Sequence, residues 1–262
     1  MPIGLGLGSS HPTYVILKKP EEWIDAYQRV ALHTPQPPEA ALETPEVIQS
    51  YIDRIDRSFQ VLRQQLLDYD PDLLVVIGGD QSEIFDRSNV PNLMIYLGEE
   101  ATGHNVPRFQ EPSAETFVRL KVDVETSRWL LHQLVAEGFD VAFSTEIRPP
   151  AGRNPARSLS HAIVRPACFL IPRPDLPTVL IWENTYDPPS LPAARCYELG
   201  RTLARVLKND PRRIAILGSG DFPMTRADPA PAGSTRRWTA GSWTSWPAAT
   251  ARPRRTCTDS TP

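Results

Sequence analysis

Four short segments of this chain carry histidines, carboxylates and hydroxyls, three of them at the ends of apolar runs. Ser9-Ser10-His11-Pro12 follows a Gly-interrupted apolar stretch. Gly78-Gly79-Asp80-Gln81, with Glu83 close behind, follows the apolar run over 72–77. Ser158-Leu159-Ser160-His161 lies in a Pro- and Arg-rich stretch, and Gly218-Ser219-Gly220-Asp221 ends a further apolar run. Imidazoles and carboxylates in such places can ligate a cation or carry protons. Each residue also has a plainer reading. His11 is either a ligand or a hydrogen-bonded loop histidine, and Asp80, Gln81 and Glu83 are either oxygen donors to a metal or a solvated turn. Asp80 and Asp221, each following a Gly turn, would also suit a metal-dependent hydrolase. Arg148, Arg153 and Arg157 form either a receptor for a carboxylated aromatic or a solvated basic loop. His132 reads as an ordinary helix side chain, and His33 and His104 stand in no comparable context.

The elements that must position these groups can be read from periodicity. Thr44-Pro45-Glu46 has an N-cap, a proline at the first helical position and an acid in the first turn. Ile48, Ile52, Ile55, Phe59, Leu62 and Leu66 follow as one helical stripe. The continuous apolar run over 72–77 is of the buried-strand type. Further strands are expected at 3–7, 92–97, 140–143, 178–182 and 213–217, with helices at 123–137, capped by Gly138, and at 192–207. Residues 98–115 read as a polar loop. This alternation predicts an α/β fold, with a mixed or mostly parallel central sheet covered by helices on both faces. Sites in such sheets gather where strands end. Ser9–His11, Gly79–Gln81, Glu183 and Gly218–Asp221 are therefore expected to converge near one edge.

A formal charge of −3 leaves no basic footprint for nucleic acid. Three scattered cysteines, none in a CxxC pair, read as reduced thiols rather than a disulfide framework. The N-terminal stretch lacks a basic segment followed by a long apolar one, and no run reaches the ~18 apolar residues of a membrane span. A soluble, cytoplasmic protein is expected. The 28 prolines cluster in what read as ordered loops between elements. From about residue 226 the composition changes: the remainder holds three of the six tryptophans and no Ile, Leu or Val. Back-translated in GC-rich codons and reread one base earlier, residues 234 onward become LDEALDRWVLDQLAGGHGEAAQDLYRLDP, which has helical apolar spacing. The chain is thus expected to comprise an α/β domain over 1–225 and, over 226–262, a disordered or frameshifted tail in place of a native helix.

The ordered set of Ser9–Pro12, Gly78–Gln81, Ser158–His161 and Gly218–Gly220, the last preceded by Cys196-Tyr-Glu-Leu-Gly200, resembles the class III extradiol ring-cleaving dioxygenases. That group is typified by the protocatechuate 4,5-dioxygenase β subunit, and the resemblance covers roughly residues 3–225. It implies a mononuclear Fe(II) held by two histidines and a carboxylate, a small aromatic diol and O2 as reactants, and a histidine as acid and base. His11 matches the first iron ligand. Gln81 stands where the second ligand histidine is expected, with Glu83 as a further candidate donor. The ligand carboxylate falls in the frameshifted region. Where the general-base histidine is expected the chain has Asp221-Phe222-Pro223-Met224, of which Asp221 can move a proton and Met224 cannot. His161 matches a histidine that faces the substrate, or else bonds within a loop containing Arg153, Arg157 and Ser160. Asp80 and Glu183 complete the residues expected on the substrate side.

Two functions of different class follow. One is an extradiol dioxygenase, with a homodimer or partner subunit as its expected association. The other is a metal-free family member acting as a non-catalytic partner subunit or small-molecule binding module.

Overall fold

The computed structural model describes residues 3–31, 38–85, 88–107, 109–150 and 159–220. The expectations for His33, Arg153, Arg157, Asp221 and the tail over 226–262 fall outside the described residues.

Six strands form the central sheet: β1 (Ile3–Ser10), β2 (Leu73–Asp80), β3 (Leu93–Tyr96), β6 (Ala142–Ser144), β7 (Thr178–Asn184) and β8 (Ile214–Gly220). Their order is β1-β8-β2-β7-β3-β6. All neighbours run parallel except β3 and β7, so the sheet is mixed and mostly parallel, as the alternation of elements predicts. A separate antiparallel pair joins β4 (Glu100–His104) to β5 (Phe117–Lys121).

Side-chain alternation along the buried strands divides the core in two. Leu74, Val76, Leu180, Trp182, Ala215 and Leu217 face α2 (Pro45–Tyr69) and α4 (His161–Leu170), meeting Leu66, Ile163, Ala167 and Leu170. Leu73, Val75, Val179, Ile181 and Ile214 face α3 (Val124–Ala136) and α5 (Ala193–Val206), meeting Leu130, Leu134, Leu199 and Leu203. Helices therefore cover both faces. Each fully buried aliphatic side chain contributes about 1.5–3 kcal/mol relative to exposure.

The long helix begins where its cap predicts, with Thr44 Oγ1 accepting the Val47 N–H. Asp123 caps α3 through the Thr126 N–H, and Gly138 follows that helix with φ at 82°. Four elements, β4 and β5 among them, go beyond the expectation. The stretch read as a polar loop over 98–115 contains β4, in which Thr102 is the single strand-favouring residue and whose form follows from pairing with β5. A further helix, α1 (Pro20–Ala31), precedes α2. The segment from His161 is the helix α4, disguised in the sequence by Pro166 within it and by burial around most of its circumference.

Candidate functional site

Four adjacent parallel strands place their C-terminal ends side by side. Ser9 registers with Ser219, Ser219 with Gly78, and Gly79 with Glu183. The polar groups divide between the two faces of the sheet at this margin. Ser219 shares the parity of Ala215 and Leu217, and Asp80 that of Leu74 and Val76, so both lie on the α2/α4 side. Glu183 shares the parity of Val179 and Ile181 and lies on the α3/α5 side, where burial pushes its carboxyl above the usual range.

On the α2/α4 side the start of α4 lies close against β2. A Cβ added to Gly78 would sit 3.0 Å from the Ala162 Cβ and 3.3 Å from the Ala162 carbonyl oxygen, so glycine is what lets the helix approach. That approach presents His161 and, one turn on, Arg165 to the chain leaving β1. The His11 and His161 rings meet edge to face, with centroids 4.8 Å apart and planes at 80°. His11 is 1% exposed, and its Nδ1 shares a 2.8 Å hydrogen bond with Ser219 Oγ. The buried Arg165 guanidinium donates to the His11 carbonyl and, at 3.2 Å, to Thr13 Oγ1. His11 is thus held by its ring and by its backbone.

His161 is held from the other direction. Glu83 Oε2 accepts both the His161 backbone N–H, at 2.9 Å, and the ring Nδ1, at 2.5 Å. Ser160, the N-cap residue of α4, makes no capping bond with its side chain; its hydroxyl instead accepts the Trp182 indole N–H at 2.9 Å. Glu83 therefore takes over part of the capping, since the first N–H groups of a helix lack partners within it.

Glu83 is fixed in turn by Asp80. The Asp80 carboxylate accepts the N–H groups of Ile84 at 2.9 Å and of Glu83 and Phe85 at 3.2 Å. Burial pushes this carboxyl up to about 6; those amide bonds oppose the rise and the charge of Glu83 adds to it.

His11, Glu83 and His161 are thus brought into one contact set, with Asp80 joined through the Glu83 backbone. Gln81 is half-buried directly after β2. Glu183 is not part of the set. Arg148 is exposed and paired with Glu146, which suits the solvated-loop reading. His104 bonds to Ser113 and Thr116, and His132 is exposed. Ser219 lies in a segment expected at the site, while Arg165 and Trp182 serve it without having been anticipated. Of these, Arg165 carried a signal, lying four residues after His161 and hence on its face once the helix is recognised.

The residues can be set against the iron ligands that the resemblance implies. A ligating histidine characteristically bonds through its other ring nitrogen to an orienting partner, and His11 with Ser219 has that form. Glu83 bonds the histidine beside it, and Gln81 supplies an amide where an imidazole is expected. Among the described residues, no group of three His, Cys, Asp or Glu side chains is arranged to hold a metal ion. The described residues therefore fit one ligand position and do not complete an iron site. No helix among them is long and apolar enough to cross a membrane.

Known proteins are similar to this chain in sequence. The chain is 26% identical over 187 residues to a 2,3-dihydroxyphenylpropionate/2,3-dihydroxicinnamic acid 1,2-dioxygenase of Rhodococcus jostii, an alignment covering 70% of this chain and 54% of the relative. Proteins of the same name from Photorhabdus laumondii and Klebsiella pneumoniae are 27% identical over 177 residues and 25% over 196. Those alignments cover 67% and 74% of this chain, and 49% and 55% of the relatives. The chain spans about half the length of the curated relatives it matches. Residues 31–242, most of the chain, match the family described as the catalytic LigB subunit of aromatic ring-opening dioxygenase, and the chain belongs to that family.

Proposed function

We propose that this chain cleaves the ring of a small catechol-type diol beside its hydroxyls, in aromatic-compound catabolism, with O2 as co-substrate and Fe(II) as the cofactor that the family resemblance implies. The observation that carries the reading is the meeting of His11, held by Ser219 and Arg165, with His161, held by Glu83, at the C-terminal margin of the sheet. Family membership supports the reaction class, and the relatives' names support a diol on an aromatic ring. His11 is the residue to hold the metal. His161, with its Nδ1–H donated to Glu83, has Nε2 left to exchange a proton with a diol hydroxyl. The burial of His11 and Asp80 limits water around the reacting groups. The catalytic unit is the α/β domain over 1–225, acting in the cytoplasm, with the tail over 226–262 out of its native frame.

One observation favours the second reading, a metal-free partner subunit or binding module: Gln81 occupies the expected place of a ligand histidine. The two are separated by supplying the full chain with Fe(II) under anaerobic conditions, then a small catechol and O2, and following O2 uptake and the ring-opened product. The enzyme consumes one O2 per diol opened. Diol binding without O2 uptake would instead establish the binding module. A chain with Gln81→His should hold iron more tightly if position 81 faces the metal.

A further inference from the structure

Glu83 approaches the site from the loop after β2, 78 residues from the histidine it contacts, and offers a single oxygen to two nitrogens of one residue, the backbone N–H and the ring Nδ1. Its backbone cannot swing freely, because Asp80 holds the N–H groups of residues 83–85. The His161 ring is 13% exposed and the Glu83 side chain 15%, so water competes weakly for their bond. The ring's other neighbour, His11, meets it edge to face. Position and plane of the His161 ring are therefore set from one side, by a carboxylate, and from the other, by an aromatic contact.

We infer that Glu83 is the positioning residue of His161: through its bonds to Nδ1–H and to the backbone N–H it holds the imidazole as the Nδ1–H tautomer, keeping Nε2 as the proton acceptor. The assignment rests on the dioxygenase reading for the purpose that Nε2 serves, and on geometry alone for the tautomer. It also gives Glu83 a role other than metal ligand. Ionised carboxylates accept only, so the proton of the shared bond lies on the ring. A carboxylate so placed fixes the orientation of its imidazole, as such partners do for metal-ligating histidines, where losing one costs about 10–100-fold. The capping bond alone would give Glu83 a purely structural role. The ring bond is what separates the two roles, and the substitutions can be chosen accordingly. Glu83→Gln keeps an acceptor oxygen at the same reach without the charge. Glu83→Ala removes both bonds, and Glu83→Met removes the oxygens while keeping the length, serving if the alanine chain fails to fold.

The test has two arms on the full chain, prepared without added metal for the first. The ring nitrogens of 15N-labelled histidine report the tautomer, with a His161→Asn chain identifying the signal of His161. Wild type and Glu83→Gln should show Nδ1 protonated and Nε2 bare, whereas Glu83→Ala or Glu83→Met should lose that pattern. An unchanged His161 pattern in the alanine or methionine chain overturns the inference. In the second arm, ring cleavage with iron supplied should show a kcat about 10–100-fold lower in Glu83→Ala, with KM for the diol little changed and substantial rescue in Glu83→Gln. A lower melting temperature with unchanged kcat would make Glu83 a helix cap only, and would also overturn it. Absence of cleavage by wild type would sink the dioxygenase reading, while the nitrogen spectra would still decide the tautomer.

Discussion

Asp80 carries a carboxyl that folding removes from water and surrounds with amide donors, and its titration should be visible in the stability of the whole chain. Its value rises from the ordinary 3.8 to about 6, mainly through burial. For an acid raised in the fold, the native state binds the proton more tightly than the unfolded state. The stabilising contribution is then complete below about 3.8 and is lost as pH rises through about 6. A shift of this size corresponds to on the order of 3 kcal/mol. Denaturant unfolding at pH 4 and pH 7 should therefore show a loss in wild type that is absent from Asp80→Asn. Equal pH slopes in the two chains would show that Asp80 titrates normally. The same residue shows how far a sequence can be read. Asp80 stood out because it ends an apolar strand after two glycines. Its three amide partners did not, because they depend on the Ser82 backbone turning to a φ of 56° directly before them.

At the scale of elements, α4 decides the site and was the element least visible in the sequence. The start of α2 is written locally, in Thr44, Pro45 and the stripe from Ile48, and the structure follows it. The start of α4 is not local, since its ring and backbone bonds come from Glu83 and its seat on the sheet depends on Gly78. Gly78→Ala tests that seat. The added Cβ meets Ala162 at distances from which one or the other must shift, and such overpacking costs about 1–3 kcal/mol. Thermal unfolding should show that loss, and ring cleavage should fall by more than the loss of folded protein explains. Activity intact in a destabilised chain would mean that α4 does not position the chemistry.

A second element-scale prediction concerns the N-terminus of α3. There Arg212 bridges Asp210 and Asp123, and its hydrogen bonds help to hold both carboxyls below the usual range. For depressed acids the sign is reversed: stability is present above the ordinary value and is lost as pH falls through the folded one. Arg212→Ala should lower stability at neutral pH and flatten the acid limb of the pH profile. An unchanged acid limb would show that the bridge contributes nothing measurable.

For the molecule as a whole, the central account is that three adjacent parallel strands, β1, β8 and β2, deliver His11, Ser219, Asp80 and Glu83 to one margin, where α4 adds His161 and Arg165. The mixed α/β sheet was legible because buried parallel strands are written as unbroken apolar runs. The division of the margin between two faces was not, since Asp80 and Glu183 read alike until register and parity are known. The measurement that tests the account most directly compares iron bound per chain with catechol-dependent O2 uptake, in the wild-type chain and in His11→Ala. Wild type should hold iron and take up one O2 for each ring opened. His11→Ala should lose both, by well over the 10–100-fold expected for a mere orienting partner, because Ser9, Ser10 and Pro12 offer no imidazole in its place. Full iron and full uptake in His11→Ala would contradict the account, leaving His11 a structural residue.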